Sequence, residues 1–541
     1  MAIFRLPAAV TLLATVALVA CRGGDSARLL SERRKARTVV CNLGAEPTTL
    51  DPARATRLTD LRALGQCFEG LTRLTATGQP EPAAAQSWDI SPDSRVYRFR
   101  LRPAQWSNGD PVRSSDFAFA WRRTLDPATR GRWAHLFFAI EGAQSYYRAS
   151  SDQRPQTVVG IETPDDRTIV VRLVRPVPYF LSLASLESYY PVHQATVERL
   201  GEAAFRAPNL ICNGPLRIVE RLPRQRIVLE PNPLYRDRSH VALSRLVFVM
   251  VENEFTEWAA YRRGQVDITY GIHRNFLSVA RTWPDFCTAP LVGTNYLVFN
   301  CARPPFDRVE TRRAFALSLD RRLLCERILR GGEQPATAFV APGIPWNDQP
   351  TSTLAPANAI LPAVGPMDDQ ARDLRKSLPS LPVLIVLAHE ASETARSLAI
   401  AIQMMWRQEL GIEVELQSFP GRVLAQKKHD GEFTIASNNW VADYLDPTTF
   451  LDIFRRDSEN NVTRWSDPRY DALLDRAAAT SDTMLRSDCL RSAERLLLDQ
   501  MPVCPIYFYA VTYLQRPYLE GLDRNPLGRI YFWRVGFAQD K

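Results

Sequence analysis

"RLVFVMVENEFTEWAAYRRGQVDITYG", residues 245–271, changes its hydrophobic rhythm twice. RLVFVMV is an apolar run of strand type, EFTEWAAYRRG spaces its apolar residues as a helix does, and QVDITYG alternates again as a strand. Strand, helix and strand in so short a stretch form a βαβ unit, whose helix must bury its apolar side on the sheet. The pattern extends both ways. RTVVCNLG (37–44), RVYRFRLR (95–102) and RTIVVRLV (167–174) are expected as strands, and LRALGQCFEGL (61–71) and SSDFAFAWRRTL (114–125) as helices. Downstream, TRRAFALSLDRRLLCERILR (311–330) is expected as one long helix and LPVLIVLA (381–388) as a buried strand. SETARSLAIAIQMMWRQELG (392–411) follows as a helix closed by Gly411, and IEVELQSF (412–419) as a strand. Between Val340 and Pro382 a proline-studded surface excursion is expected, with DDQARDLRKSL (368–378) as a helix behind it.

The N-terminus speaks about compartment. MAIFR precedes the apolar run LPAAVTLLATVALVA, too short to span a bilayer comfortably, so residues 1–20 read as a signal peptide. LVAC ends it and looks like a bacterial lipobox, which implies cleavage before Cys21, lipidation of that thiol and a further acyl chain such as palmitate. Residues 21–36 are polar and basic without a packable face, and are expected to be a tether lying against anionic lipid. The expected location is the periplasm or cell surface, anchored to the membrane by lipid. The net charge of +8 is scattered, not striped, so no nucleic-acid partner is expected. The remaining eight cysteines contain no C-x-x-C pair, and their pairing is open. A chain of 541 residues exceeds one ordinary domain, so two or three lobes are expected.

Catalytic chemistry finds no foothold. The six histidines show no metal-ligand spacing, HEASE (389–393) lacks the second histidine of a zinc-protease helix, and there is no G-x-S-x-G elbow. No metal, cofactor or enzymatic activity is expected. Binding chemistry concentrates at GEFTIASNNWVAD (431–443), a strand running into a loop, and DPTTFLDIF (446–454), where a helix begins. Asp446 before Pro447 is placed to cap that helix. Asp443 has no such local duty: beside Trp440 it is either an exposed loop aspartate or a receptor for a ligand ammonium.

Five ordered blocks resemble the bacterial extracellular solute-binding proteins typified by the oligopeptide-binding lipoproteins of ABC importers. They are 43–74, WSNGDPVRSSDFAFAWRRTLDPAT (106–129), NGPLRIVERLPRQRIVLEPNPLYRD (213–237), FDRVETRRAFALSLDR (306–321) and NNWVADYLDPTTFLDIF (438–454). The resemblance implies a periplasmic-binding-protein type II-like α/β fold, two lobes joined by a two-strand hinge with an inserted third domain. Lobe I would comprise 37–71, 193–293 and 509–541, the inserted domain 72–192, and lobe III 294–508. It implies a monomer that encloses short peptides between lobes I and III and delivers them to the permease and ATPase subunits of an ABC transporter.

Matched position by position, the resemblance makes Asp443 the receptor for a peptide ammonium, with Trp440 beside it. Asn438 and Asn439 would pair with ligand backbone, Tyr296 would be a cleft tyrosine, and Thr56 and Leu58 would close on the peptide. Where a familiar relative reads the peptide carboxylate or lines its cleft with charge, this chain has Ser437, Val298 and Ala395, with Arg396 as a substitute. Gly293 and Val441 stand where that relative has a cysteine pair. The same fold with another solute (a dipeptide, metal complex, haem or sugar), or a surface scaffold with a degenerate cleft, are the alternatives.

Overall fold

The computed structural model describes residues 23–150, 152–156, 158–346, 361 and 384–538. Three larger sheets organise them. In the first, Thr38–Asn42 lies parallel to Arg245–Val249, and Arg226–Pro231 and Leu216–Leu222 continue antiparallel. The second is an antiparallel meander in the order Ala85–Ile90, Val96–Leu101, Thr168–Arg172, Ile161–Asp165. The third orders Gln334–Pro335, Val503–Leu514, Phe286–Phe299, Ile435–Val441, Val386–Glu390 and Glu415–Phe419.

Local chemistry accounts for these elements. In Val96–Leu101 the alternation buries Tyr97, Phe99 and Leu101 and leaves Arg98 and Arg100 in water. The helix Ser114–Leu125 turns Phe117, Trp121 and Leu125 inward. Asp116 fixes its start by accepting from Arg113 N at 2.9 Å and from Trp106 Nε1 at 3.1 Å, which explains the WSNGDPVRSSDF block as a cap tied to a buried indole. Ser392 caps Glu393–Leu410, and Gly411 ends it at φ 67°.

Phe286–Phe299 and Val503–Leu514 pair antiparallel along their length, with the register broken between Pro290 and Thr294. At the near end Thr269 N donates to Leu514 O at 3.0 Å, and the far end lies inside the third sheet. Two adjacent strands therefore lead from the first sheet's surroundings into the third, with an irregularity between.

Four expectations need correction or relocation. The tether is a helix, Gly23–Lys35: Leu30 packs beside Gly264, and Arg33 donates to Gln265 O and pairs with buried Asp267, so its charge is used internally. QVDITYG is not a regular strand; only Ile268 bridges to Cys41, because the Asp267 carboxylate takes the Val40 N–H at 2.7 Å. The long helix at 311–330 breaks after Leu317 and restarts at Arg321, where Asp320 accepts from Leu323 N at 2.8 Å. The helix expected at 368–378, and most of the excursion before it, lie outside the described residues. No described helix is long and apolar enough to cross a membrane.

Candidate functional site

The strand Ile435–Val441 is the axis of the site. Its inner edge pairs with Phe286–Phe299, placing Gly293 opposite Val441, Asn295 opposite Asn439 and Tyr296 opposite Asn438. On its outer edge, pairing with Leu387 and Ala388 stops at Ala436. Among the described residues no strand continues along the outer edge of Ser437–Val441, so that backbone is open to an added strand.

Two cavities flank this edge. The first, of 240 Å³, brings Asp443 together with Thr56 and Leu58. Its further wall comes from Trp133, Leu136, Leu186 and Glu187, and from Leu527 and Arg529 near the C-terminus. Asp443 N is held by Thr449 Oγ1 at 3.1 Å, but no described group hydrogen-bonds to the carboxylate. Burial raises its pKa to about 6, with Arg529 pulling weakly the other way. Arg529 is already committed to Glu187 through bonds of 2.8 and 3.2 Å. The Asp443 charge therefore faces a largely apolar cavity without a cation of its own.

Asp446 has a different fate. It accepts from Thr448 N at 3.0 Å and Thr448 Oγ1 at 2.7 Å, and from Arg486 Nη2 at 2.8 Å. The cap position of the short helix Thr448–Leu451 falls on Pro447 and not, as expected, on Asp446, which stands one residue further out and still takes the first helical N–H, that of Thr448.

The second cavity, of 350 Å³, is lined by Asn438, Asn439, Ser437 and Ala395 and also by Lys428, His389 and Tyr509. Lys428 Nζ donates to Asn438 Oδ1 at 2.6 Å and Ser437 O at 3.3 Å, and desolvation lowers its pKa to about 8. Asn438 Nδ2 in turn donates to the Tyr296 hydroxyl at 2.9 Å.

The structure thus brings Asp443, Thr56 and Leu58 to one cavity, and Asn438 and Asn439 to the other. Tyr296 is 1 % exposed and acts from beneath, orienting Asn438. Trp440 packs against the core and lines neither cavity, its Nε1 without a partner. Val298 is fully buried, and Arg396 is exposed and lines neither cavity. Sequence reasoning missed Lys428, which is one of three basic or imidazole residues in KKH (427–429), and missed the wall from Trp133, Leu136 and Glu187. Nothing local marks those three, because only the tertiary fold carries them to the cleft. The eight cysteines outside residue 21 are free thiols.

An open sheet edge between two cavities, with a carboxylate at one end and an ammonium toward the other, defines a receptor for a small solute. The chain belongs to the bacterial extracellular solute-binding proteins, family 5, whose profile matches residues 79–462. That family consists of binding proteins and not enzymes. The chain is 30 % identical to the oligopeptide-binding protein OppA of Bacillus subtilis, over 97 % of this chain and 98 % of that one. It is 30 % identical to the periplasmic murein peptide-binding protein MppA of Escherichia coli, over 92 % of each. The crystal structure of Haemophilus influenzae OppA in complex with RPPGFSPFR superposes with a TM-score of 0.76 at 29 % identity, covering 93 % of this chain and 99 % of that one.

Proposed function

We propose that this protein is a membrane-anchored receptor that captures short peptides and delivers them to the permease of an ABC importer. The observation that carries this reading is the open edge of Ser437–Val441 ending at Asp443. A peptide laid along it would satisfy the free backbone groups whatever its side chains, and its α-ammonium would meet Asp443, the carboxylate of the first cavity that no described cation pairs, Glu187 being held by Arg529. The relatives named for peptides support the solute class. At ~3.3 Å per residue the edge accommodates about three to five extended residues with both ends held.

Lys428 takes the place of the carboxylate reader that Ser437, Val298 and Ala395 do not supply. It would meet a peptide C-terminus or an acidic side chain in the second cavity. The lipid anchor on Cys21, the monomeric state and the delivery step rest on the LVAC motif and the family.

Native mass spectrometry of the purified protein, followed by identification of what denaturation releases, tests the solute class. Short peptides are the expected cargo; a bile salt, sugar or haem in their place would overturn the peptide reading. Asp443→Ala is expected to weaken binding by about 2–5 kcal/mol in calorimetry, the cost of removing one partner from a desolvated charge pair. Unchanged affinity would remove Asp443 from its role.

A further inference from the structure

On the elements that wall the Asp443 cavity, two guanidinium groups lie close enough to act on each other, and neither is paired with a carboxylate among the described residues. Arg62, on the helix Leu58–Cys67, is 5 % exposed and lies over the Tyr270 ring at 4.7 Å. Its Nε is sealed from solvent and has no hydrogen-bond partner. Arg524, in the C-terminal hairpin, lies over the Tyr513 ring at 3.9 Å, and its polar neighbours are that phenol and the thiols of Cys41 and Cys287. All three of its guanidinium nitrogens are sealed, and none makes a well-formed hydrogen bond.

The two cations act on each other, and both act on the Cys41 thiol. Burial and the charge on Arg524 bring Arg62 down to about 10, and burial lowers Arg524 as well. The carboxylates that also reach Cys41 are committed elsewhere. Glu257 accepts from Asn42 and from the backbone of Tyr270, and Asp267 holds Arg33, Val40 N and Tyr518. Other buried arginines are answered: Arg236 by Glu69, Arg486 by Asp446, Arg321 by the carbonyls of Pro505 and Ala316. A guanidinium charge out of water is tolerated only when paired, and this pair repels.

We propose that Arg62 and Arg524 together hold a small oxyanion of the class of sulfate, phosphate or a simple carboxylate. Two planar donor forks suit an anion with several oxygens, and the sealing of all three Arg524 nitrogens favours a small one. The site ties the helix Leu58–Cys67 to the C-terminal hairpin. Leu58 and Leu61 on that helix, and Leu527 and Arg529 beyond Arg524, line the Asp443 cavity, so the bound anion braces the cavity wall from behind.

Thermal unfolding of the purified protein across a micromolar-to-millimolar sulfate series at constant ionic strength tests this. The wild type is expected to show a saturable rise in Tm of a few degrees. Arg62→Gln and Arg524→Gln are expected to lose that rise, and to start at or above the wild-type Tm in sulfate-free buffer because a repelling charge is gone. Crystals soaked in selenate should show anomalous density between the two guanidinium groups. No saturable rise in the wild type with sulfate, phosphate or acetate would overturn the proposal. An equal rise in both variants, or a water alone between the arginines, would do the same.

Discussion

Two aspartates three positions apart meet opposite fates, and the difference is one of available partners. Asp446 stands before a proline and a pair of threonines, so its oxygens find Thr448 and then Arg486. With the Asp446 and Arg486 side chains only 7 % and 5 % exposed, Arg486→Met would strand a buried carboxylate. Denaturant unfolding is expected to register a loss of about 3–5 kcal/mol. Asp443 keeps its oxygens for the cavity, and its local isolation was legible from the sequence because no capping geometry claimed it. Its pKa of about 6 and that of Lys428 at about 8 set a pH window for a peptide with both termini free. Below about 6 Asp443 takes a proton and the ammonium loses its partner; above about 8 Lys428 loses its proton and the carboxylate loses its own. Affinity measured by calorimetry should therefore peak near pH 7. The ligand amine also titrates at about 8, so the upper limb reports two protons lost, and Lys428→Arg should make it shallower, leaving only the amine's proton; an unchanged slope would remove Lys428 from the limb. Lys428→Met should cost peptides with a free C-terminus about 1.5–3 kcal/mol and their amides little.

Elements read from periodicity survived where neighbours agreed with the local preference. RVYRFRLR and RTIVVRLV pair with each other in the second sheet, as their alternation invites. QVDITYG did not become a full strand because a buried carboxylate at Asp267 replaced a backbone acceptor, which alternation of apolar residues does not reveal. The 311–330 helix split because Asp320 offered a cap in mid-run. The open edge at Ser437–Val441 is expected only through the resemblance that sets Asn438 and Asn439 against ligand backbone; no local pattern shows it, because it exists where the neighbouring strand pairs no further than Ala436. That edge makes a prediction about ligand backbone. A peptide methylated on an amide that faces the edge should lose about 1–3 kcal/mol, the cost of leaving a strand acceptor unsatisfied, at constant sequence. Methylation at an outward-facing amide should cost little, and equal losses at every position would mean that backbone pairing is not the mode of recognition.

At the scale of the whole molecule, the first cavity is walled by contacts that only the assembled fold can make. Tyr179, from the stretch carrying the second sheet, stacks on Tyr444 with ring centroids 4.5 Å apart and planes 8° from parallel. Tyr444 is the residue after Asp443, so one ring of the stack and the proposed ammonium receptor sit on one loop. A second tie runs from Trp133 Nε1 to Ala55 O at 2.7 Å, next to Thr56. The paired strands with their register break at Pro290 are the place where bending would least disturb either sheet. The Tyr179–Tyr444 stack is then expected to hold a closed form, and its removal to shift the equilibrium toward an open one. An aromatic pair of this kind contributes about 0.5–1.5 kcal/mol, so Tyr179→Ala should weaken peptide binding about 2–10-fold. Stopped-flow measurement should place that loss mainly in faster release. Because Asp443 itself is untouched, the lower limb of the pH profile should stay where it is. A larger radius of gyration in the peptide-free variant by small-angle scattering, returning to the wild-type value when peptide saturates, would identify the stack as a clasp. An unchanged radius with slower association would instead make Tyr179 part of the entry path.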